Sequence, residues 1–197
     1  MKTNKRLLIK RLCIVLGVCL LVASILTLFF WNLGISSSEK QAKNYVSTLK
    51  SIIPTPQNAV LEERGDNNMP ILSVYGNDFV GIIEFPAYDS ELPVGAEWID
   101  SSKYPSRFNG SIYDGTLQVG ATTQKGQYDF YRKLSLGDTV VYTDMKGNRY
   151  TFEITGFRNA EHVDKTALES EEAQFTLFIK NIYSFEYLIV FCNAPSE

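Results

Sequence analysis

From Cys13 to Ile35 the chain reads CIVLGVCLLVASILTLFFWNLGI, 23 residues without a charge, one residue after MKTNKRLLIKR, which holds five Lys or Arg and no acid. As a helix such a run is about 34 Å long, enough for the hydrocarbon layer of a bilayer. A secretory signal peptide is the rival interpretation, but its apolar region is about 7–15 residues and ends in a small-residue cleavage site. The run is too long for that, so it is expected to be an uncleaved signal anchor. The basic end then lies in the cytoplasm, everything after Ser36 lies outside, and Trp31 sits at the outer interface.

That assignment constrains the rest. With five of the 19 basic residues in the first eleven positions, 14 remain against 22 acidic ones, a net charge of −8 outside the membrane. A surface of that sign repels phosphate backbones, so nucleic acid is not an expected partner. Of three cysteines, Cys13 and Cys19 lie inside the apolar run and Cys192 stands alone beyond it, so no intramolecular disulfide can close there. The external part must be held by its core.

Four segments follow: a cytoplasmic basic tail over 1–12, the anchor over 13–35, a helical stalk and linker over 36–70, and a β domain over 71–197. In SEKQAKNYVSTLKSII (38–53), Ala42, Tyr45, Val46, Leu49, Ile52 and Ile53 recur at helical steps, which predicts an amphipathic helix begun by a Ser cap and ended by Pro54. The stretch 54–70 is polar and rich in Pro, Gly and Asn, as a linker or long loop would be. Beyond it, short β runs are expected over 79–85, 116–119, 139–143, 150–155, 175–179 and 186–191, with Asp144, Gly147 and Asn148 turning the clearest hairpin. Helical signal is confined to a turn or two around 128–134, so the body is expected to be one all-β barrel or sandwich.

The order of these pieces resembles the sortase family, membrane-anchored cysteine transpeptidases of Gram-positive bacteria. FVGIIEFPAYDSELPV resembles the family's opening strand, YPSRFNGS the segment before its histidine strand, and VGATTQKGQYDFYRKLSLGDTVVYTDMKGNRYTFEITGF that strand, its helical turn, an L-x-x-G-D corner and the next hairpin. The resemblance covers 79 to 192 and implies a closed β-barrel with short helices, preceded by a transmembrane helix. It also implies a cysteine thiolate that attacks a peptide carbonyl, a histidine that protonates the leaving amine and an arginine that steadies the oxyanion. The positions that match differ in kind. Ala121 occupies the histidine slot after its Gly, Ile179 or Lys180 in TLFIKN the cysteine slot, and Tyr187 in EYLIVF the arginine slot. A methyl group cannot carry a proton, and a phenol brings no positive charge.

The resemblance therefore points to a non-catalytic relative that binds a peptide or protein partner in surface-protein or pilus assembly. The alternative is a divergent cysteine transpeptidase or hydrolase using Cys192 with His162, and a third is a structural barrel whose likeness is architectural only. Cys192 ends an apolar strand, where a buried inert thiol is the ordinary outcome, and His162 stands in the polar loop NAEHVDK. Lys180 could act as a nucleophile only if burial removed its proton. Tyr183, Phe185 and Tyr187 suit either a peptide groove or the core. The run Glu169-Ser170-Glu171-Glu172 could hold calcium but reads as a solvated loop. No zinc spacing, phosphate loop or Ser-centred elbow occurs, so neither metal nor cofactor is expected, and the sequon Asn109-Gly110-Ser111 has no role in a bacterial host.

Overall fold

The computed structural model describes residues 2–59, 68–99, 103–124, 127–164, 168, 173–184 and 186–195, with side chains for all of these except 2–10, 12 and 30–37. Two compact units divide the chain, Met1–Ser37 and Ser38–Glu197. In the first, the backbone is helical from Lys2 and the side chains from Cys13 to Phe29 are exposed. The backbone over 13–35 is helical, but the expected membrane span is not found among the described residues. Among the described residues no helix is long and apolar enough to cross a membrane. A span needs about 20 apolar residues, and the described side chains of this run, 13 to 29, number 17.

Helix α1 runs from Lys2 to Ile52 without a break. The expected start at Ser38 is thereby corrected: an N-cap must leave the helical backbone, and Ser38 stays in it. The periodic face was read well otherwise. Tyr45, Val46, Leu49 and Ile53 pack on Val74, Phe79 and Ile82, Ala42 joins the main core, and Ile52 points away, 54% exposed. Within the second unit, the segment Ser38–Ile52 of α1 thus packs on the strands by an apolar stripe of helical period.

Ten strands follow: β1 (Gln57–Asn58), β2 (Leu72–Val74), β3 (Asn77–Phe85), β4 (Ser90–Gly95), β5 (Ser106–Asn109), β6 (Leu117–Thr122), β7 (Thr139–Asp144), β8 (Asn148–Ala160), β9 (Phe175–Lys180) and β10 (Tyr187–Asn193). Pairing runs β3-β4-β5-β6-β9-β10-β8, and β7 joins β8 back to β3, which closes eight strands into a barrel with β1 and β2 at its rim. Closure removes the exposed edges that an open sheet would leave. Three seams matter below. β6 and β9 are parallel, with Ala121 opposite Ile179 and Thr122 opposite Lys180. β9 and β10 are antiparallel, with Lys180 opposite Tyr187. β4 meets β5 at one position only, Gly95 opposite Ser106.

Alternation sorts each strand into an inner and an outer face. Leu117, Val119 and Ala121 of β6, Phe175, Leu177 and Ile179 of β9, and Val190 and Cys192 of β10 fill the interior with Val80, Ile83, Tyr128, Tyr142 and Phe152. Phe178 of β9 and Ile189 and Phe191 of β10 lie on the outside with Trp98, Leu168 and Tyr187. The β7–β8 hairpin is locked by Asp144, a fully buried carboxylate that accepts from the Tyr113 hydroxyl (2.8 Å), the Lys146 and Asn148 amides (2.9 and 2.8 Å) and the Asn148 side chain (2.8 Å). Those donors stand in for the hydration that burial removes. The corner Leu134–Asp138 is tied the same way, Asp138 accepting from the Ser135 amide (2.9 Å) and the Tyr88 hydroxyl (2.5 Å). The helical turn expected over 128–134 is a single 3-10 turn, Tyr131–Lys133.

Candidate functional site

The two seams of β9 bring the ends of three strands together. Lys180 closes β9 on its outer face, with Tyr187 directly across on β10 and Thr122 directly across on β6. The Lys180 ammonium stands 5.9 Å from the centre of the Tyr187 ring, within reach of a cation–π contact. Beneath them Phe178 packs edge-on against Trp98 and Phe108, with ring centres 5.2 and 5.3 Å apart, and lies 6.2 Å from Tyr187. Gly120 makes this possible: a Cβ there would lie 2.2 Å from the tip of the Phe178 ring, so the aromatic layer rests directly on the β6 backbone.

The loops that frame these ends are tied to them. The Thr123 amide donates to the Lys180 carbonyl (3.0 Å), and its hydroxyl accepts from the Ile182 amide (3.3 Å). Asn181 donates from its side chain to the Tyr131 hydroxyl (3.4 Å) and accepts from the Tyr183 amide (2.9 Å), and its own amide donates to the Glu186 carbonyl (2.8 Å). Tyr183 projects outward, 79% exposed. Phe185 and the run 169–172 lie outside the described residues. Among the described residues no group of three or more His, Cys, Asp or Glu is placed to hold a metal ion.

Ala121, Lys180 and Tyr187, the three positions singled out from the sequence, thus fall at one end of three neighbouring strands, but not on one face. Ala121 lies in the interior layer, fully buried, with Ile179 as its register partner. The β6 side chain on the face of Lys180 and Tyr187 is Thr122, which sequence reasoning missed, although counting in twos from Gln118 would have found it. At the site the outer face offers an ammonium and a phenol, while the Thr122 hydroxyl is buried and accepts from the Gln124 amide (3.3 Å). The first two can donate hydrogen bonds to peptide carbonyls and attract a carboxylate, but none of the three is a thiol poised beside a base.

Cys192 and His162 are not brought together. Cys192 is fully buried inside the barrel, where burial pushes its thiol well above the ordinary range, so it stays protonated at neutral pH. His162 is exposed just beyond the end of β8. Along β8, Cys192 pairs with Ile154 while Tyr187 pairs with Ala160. Six residues at about 3.3 Å each put the two ends roughly 20 Å apart, far outside the contact that proton transfer needs. The alternative pair drawn from the sequence therefore has neither the proximity nor the exposure it requires.

No protein-family model matches the chain, and neither does any curated protein. Solved structures do. Sortase A from Corynebacterium diphtheriae superposes with a TM-score of 0.52 over 83% of this chain and 85% of that one, at 14% identity. Clostridium perfringens sortase C, determined with the C-terminal cell wall sorting motif, gives 0.51 over 67% and 79%, at 18% identity. Listeria monocytogenes sortase A gives 0.50 over 60% and 88%, at 16% identity. The fold resembled in the sequence is the fold observed, the closed eight-stranded barrel of sortases.

Proposed function

We propose that this sortase-fold chain is a membrane-tethered protein of the bacterial surface that does not carry out cysteine transpeptidation, and that it binds a peptide or protein partner in surface-protein or pilus assembly. The tether would be the uncharged run 13–35, with the basic tail inside. The observation that carries the proposal is the outer end of β6, β9 and β10, where half-buried Lys180 and Tyr187 stand beside buried Thr122 over the Phe178–Trp98–Phe108 layer. This is a surface with hydrogen-bond donors and an apolar floor, suited to an extended peptide, and it lacks the nucleophile and base that acyl transfer requires. One solved relative, sortase C of Clostridium perfringens, is described with the C-terminal cell wall sorting motif, which makes a peptide of that kind the first probe to use.

The test is to mix the full-length chain with a fluorogenic peptide carrying a cell wall sorting motif and to follow anisotropy and cleavage together. Saturable binding without cleavage, weakened at least fivefold by Tyr187→Ala, is expected. Cleavage that disappears in Cys192→Ser would overturn the proposal. Membrane attachment is checked separately: after alkaline extraction of cells, the full-length chain should stay in the membrane pellet, and recovery in the supernatant would remove the tether.

A further inference from the structure

A second surface lies one seam away. Beyond the single Gly95–Ser106 bridge, β4 and β5 part, so among the described residues β5 is paired along one edge only from Arg107 onward. A cleft of about 600 Å3 opens at that parting, with Ile71, Ile99, Arg107 and Phe108 among its walls. From Ile52 onward, eight large apolar side chains are exposed among the described residues. Three of them, Ile71 (55%), Ile99 (63%) and Phe108 (36%), line this cleft, and a fourth, Tyr75 (78%), stands at its lip beside Gly76. The turn that presents Tyr75 holds it at φ 51° and Gly76 at φ 76°, and the left-handed conformation costs the tyrosine about 1–2 kcal/mol. Such clustering of exposed apolar groups marks a contact surface rather than scatter.

Charge narrows the occupant. The Arg107 side chain makes no hydrogen bond or ion pair with any described residue, although Asp78 and Glu97 line the same cleft. Asp78 is engaged by the Ser73 hydroxyl. A guanidinium with no carboxylate partner among the described residues, in a half-closed cleft beside a strand edge that is unpaired among them, suits a segment that brings one carboxylate and lies extended. The two acids on the lips disfavour a second negative charge.

We propose that the cleft between β4 and β5 is a docking site for an extended segment of a partner protein, laid along the free edge of β5 with one Asp or Glu on Arg107 and apolar residues against Ile71, Ile99 and Phe108. The site adjoins the surface around Lys180 and Tyr187, sharing Phe108 with its floor, but does not rest on the function proposed there.

A displayed library of random heptapeptides, selected on the full-length chain in mild detergent, tests it. Enrichment of peptides with alternating apolar residues and a single acid is expected. Their binding should fall at least tenfold on Ile99→Asp, an exposed substitution that leaves the core alone, while Arg107→Glu should select Lys or Arg in place of the acid. Since Arg107 also acts electrostatically on buried Tyr142, melting curves must show both variants folded. If Arg107→Glu does not fold, the Ile99→Asp comparison decides. No enrichment, or enriched peptides that bind Ile99→Asp as well as the parent, overturns the site. If the enriched peptides are instead lost on Tyr187→Ala and kept on Ile99→Asp, the cleft is rejected and the surface around Lys180 stands.

Discussion

The inner and outer faces of the same strands differ in kind. Along β9, Phe175, Leu177 and Ile179 face in, and Phe178 and Lys180 face out; along β10, Val190 and Cys192 face in, and Tyr187, Ile189 and Phe191 face out. The inner set is a dry apolar filling, and it contains the one thiol outside the N-terminal helix. The outer set ends in polar groups at the strand tips. Parity therefore decides which side chains can do chemistry on a ligand. Because the period of a strand is two, moving a thiol by one position is the difference between a buried filler and a surface group.

The comparison breaks first if an inward position tolerates truncation. Phe175→Ala removes a fully buried ring that packs 5.2 Å from Phe152 and is expected to cost about 3–5 kcal/mol in urea unfolding, whereas outward Lys180→Ala should stay within about 0.5 kcal/mol. Equal losses would mean that the two faces are not what they are taken to be. A smaller effect comes from the contact between the layers. Gly120→Val drives a side chain into Phe178 and is expected to destabilise by about 1–3 kcal/mol. Adding Phe178→Leu should recover part of that loss, a coupling that a double-mutant cycle measures and that independent sites would not show.

Alkaline pH sharpens the same contrast more gently. Burial raises the thiol of Cys192 and the phenols of Tyr128 and Tyr142 in the folded state. These groups are neutral when protonated, so the fold binds protons that the unfolded chain releases at its ordinary values. Their contribution is fully present below those values and is lost as pH rises past them. The unfolding free energy is thus expected to decline above about pH 9, and a flat profile from pH 8 to 11 would contradict the interior placement of all three.

Much of this was legible in the sequence, and the omissions have physical causes. The six strands read from β-rich runs are all present, most extended by a residue or two, because inward apolar residues alternate or run together there. β4 was missed since Pro93 argues against a strand. The structure tolerates it because the Gly95 amide points toward β5 to meet the Pro105 carbonyl (2.8 Å), and Pro93, two residues earlier, turns its N–H-less nitrogen the same way, where no strand pairs. β2 and β5 are too short, at three and four residues, to show a period. The slots at Ala121, Lys180 and Tyr187 could be lined up from the resemblance and their faces from alternation along each strand, but which residues stand opposite one another depends on register across the seams, which no local pattern encodes. The continuous helix through Ser38 was hidden for the opposite reason: a good capping residue is only used where the backbone turns.

The central claim is that the thiol beyond the N-terminal helix lies inside the barrel and apart from His162. Labelling of Cys192 by a maleimide in the full-length chain, with Cys13→Ser and Cys19→Ser removing the other thiols, tests it directly. Labelling at neutral pH that proceeds only at the rate of unfolding, and is unchanged by His162→Ala, is predicted. Rapid labelling of the folded chain that rises with pH between 6 and 8 and falls when His162 is removed would contradict the account.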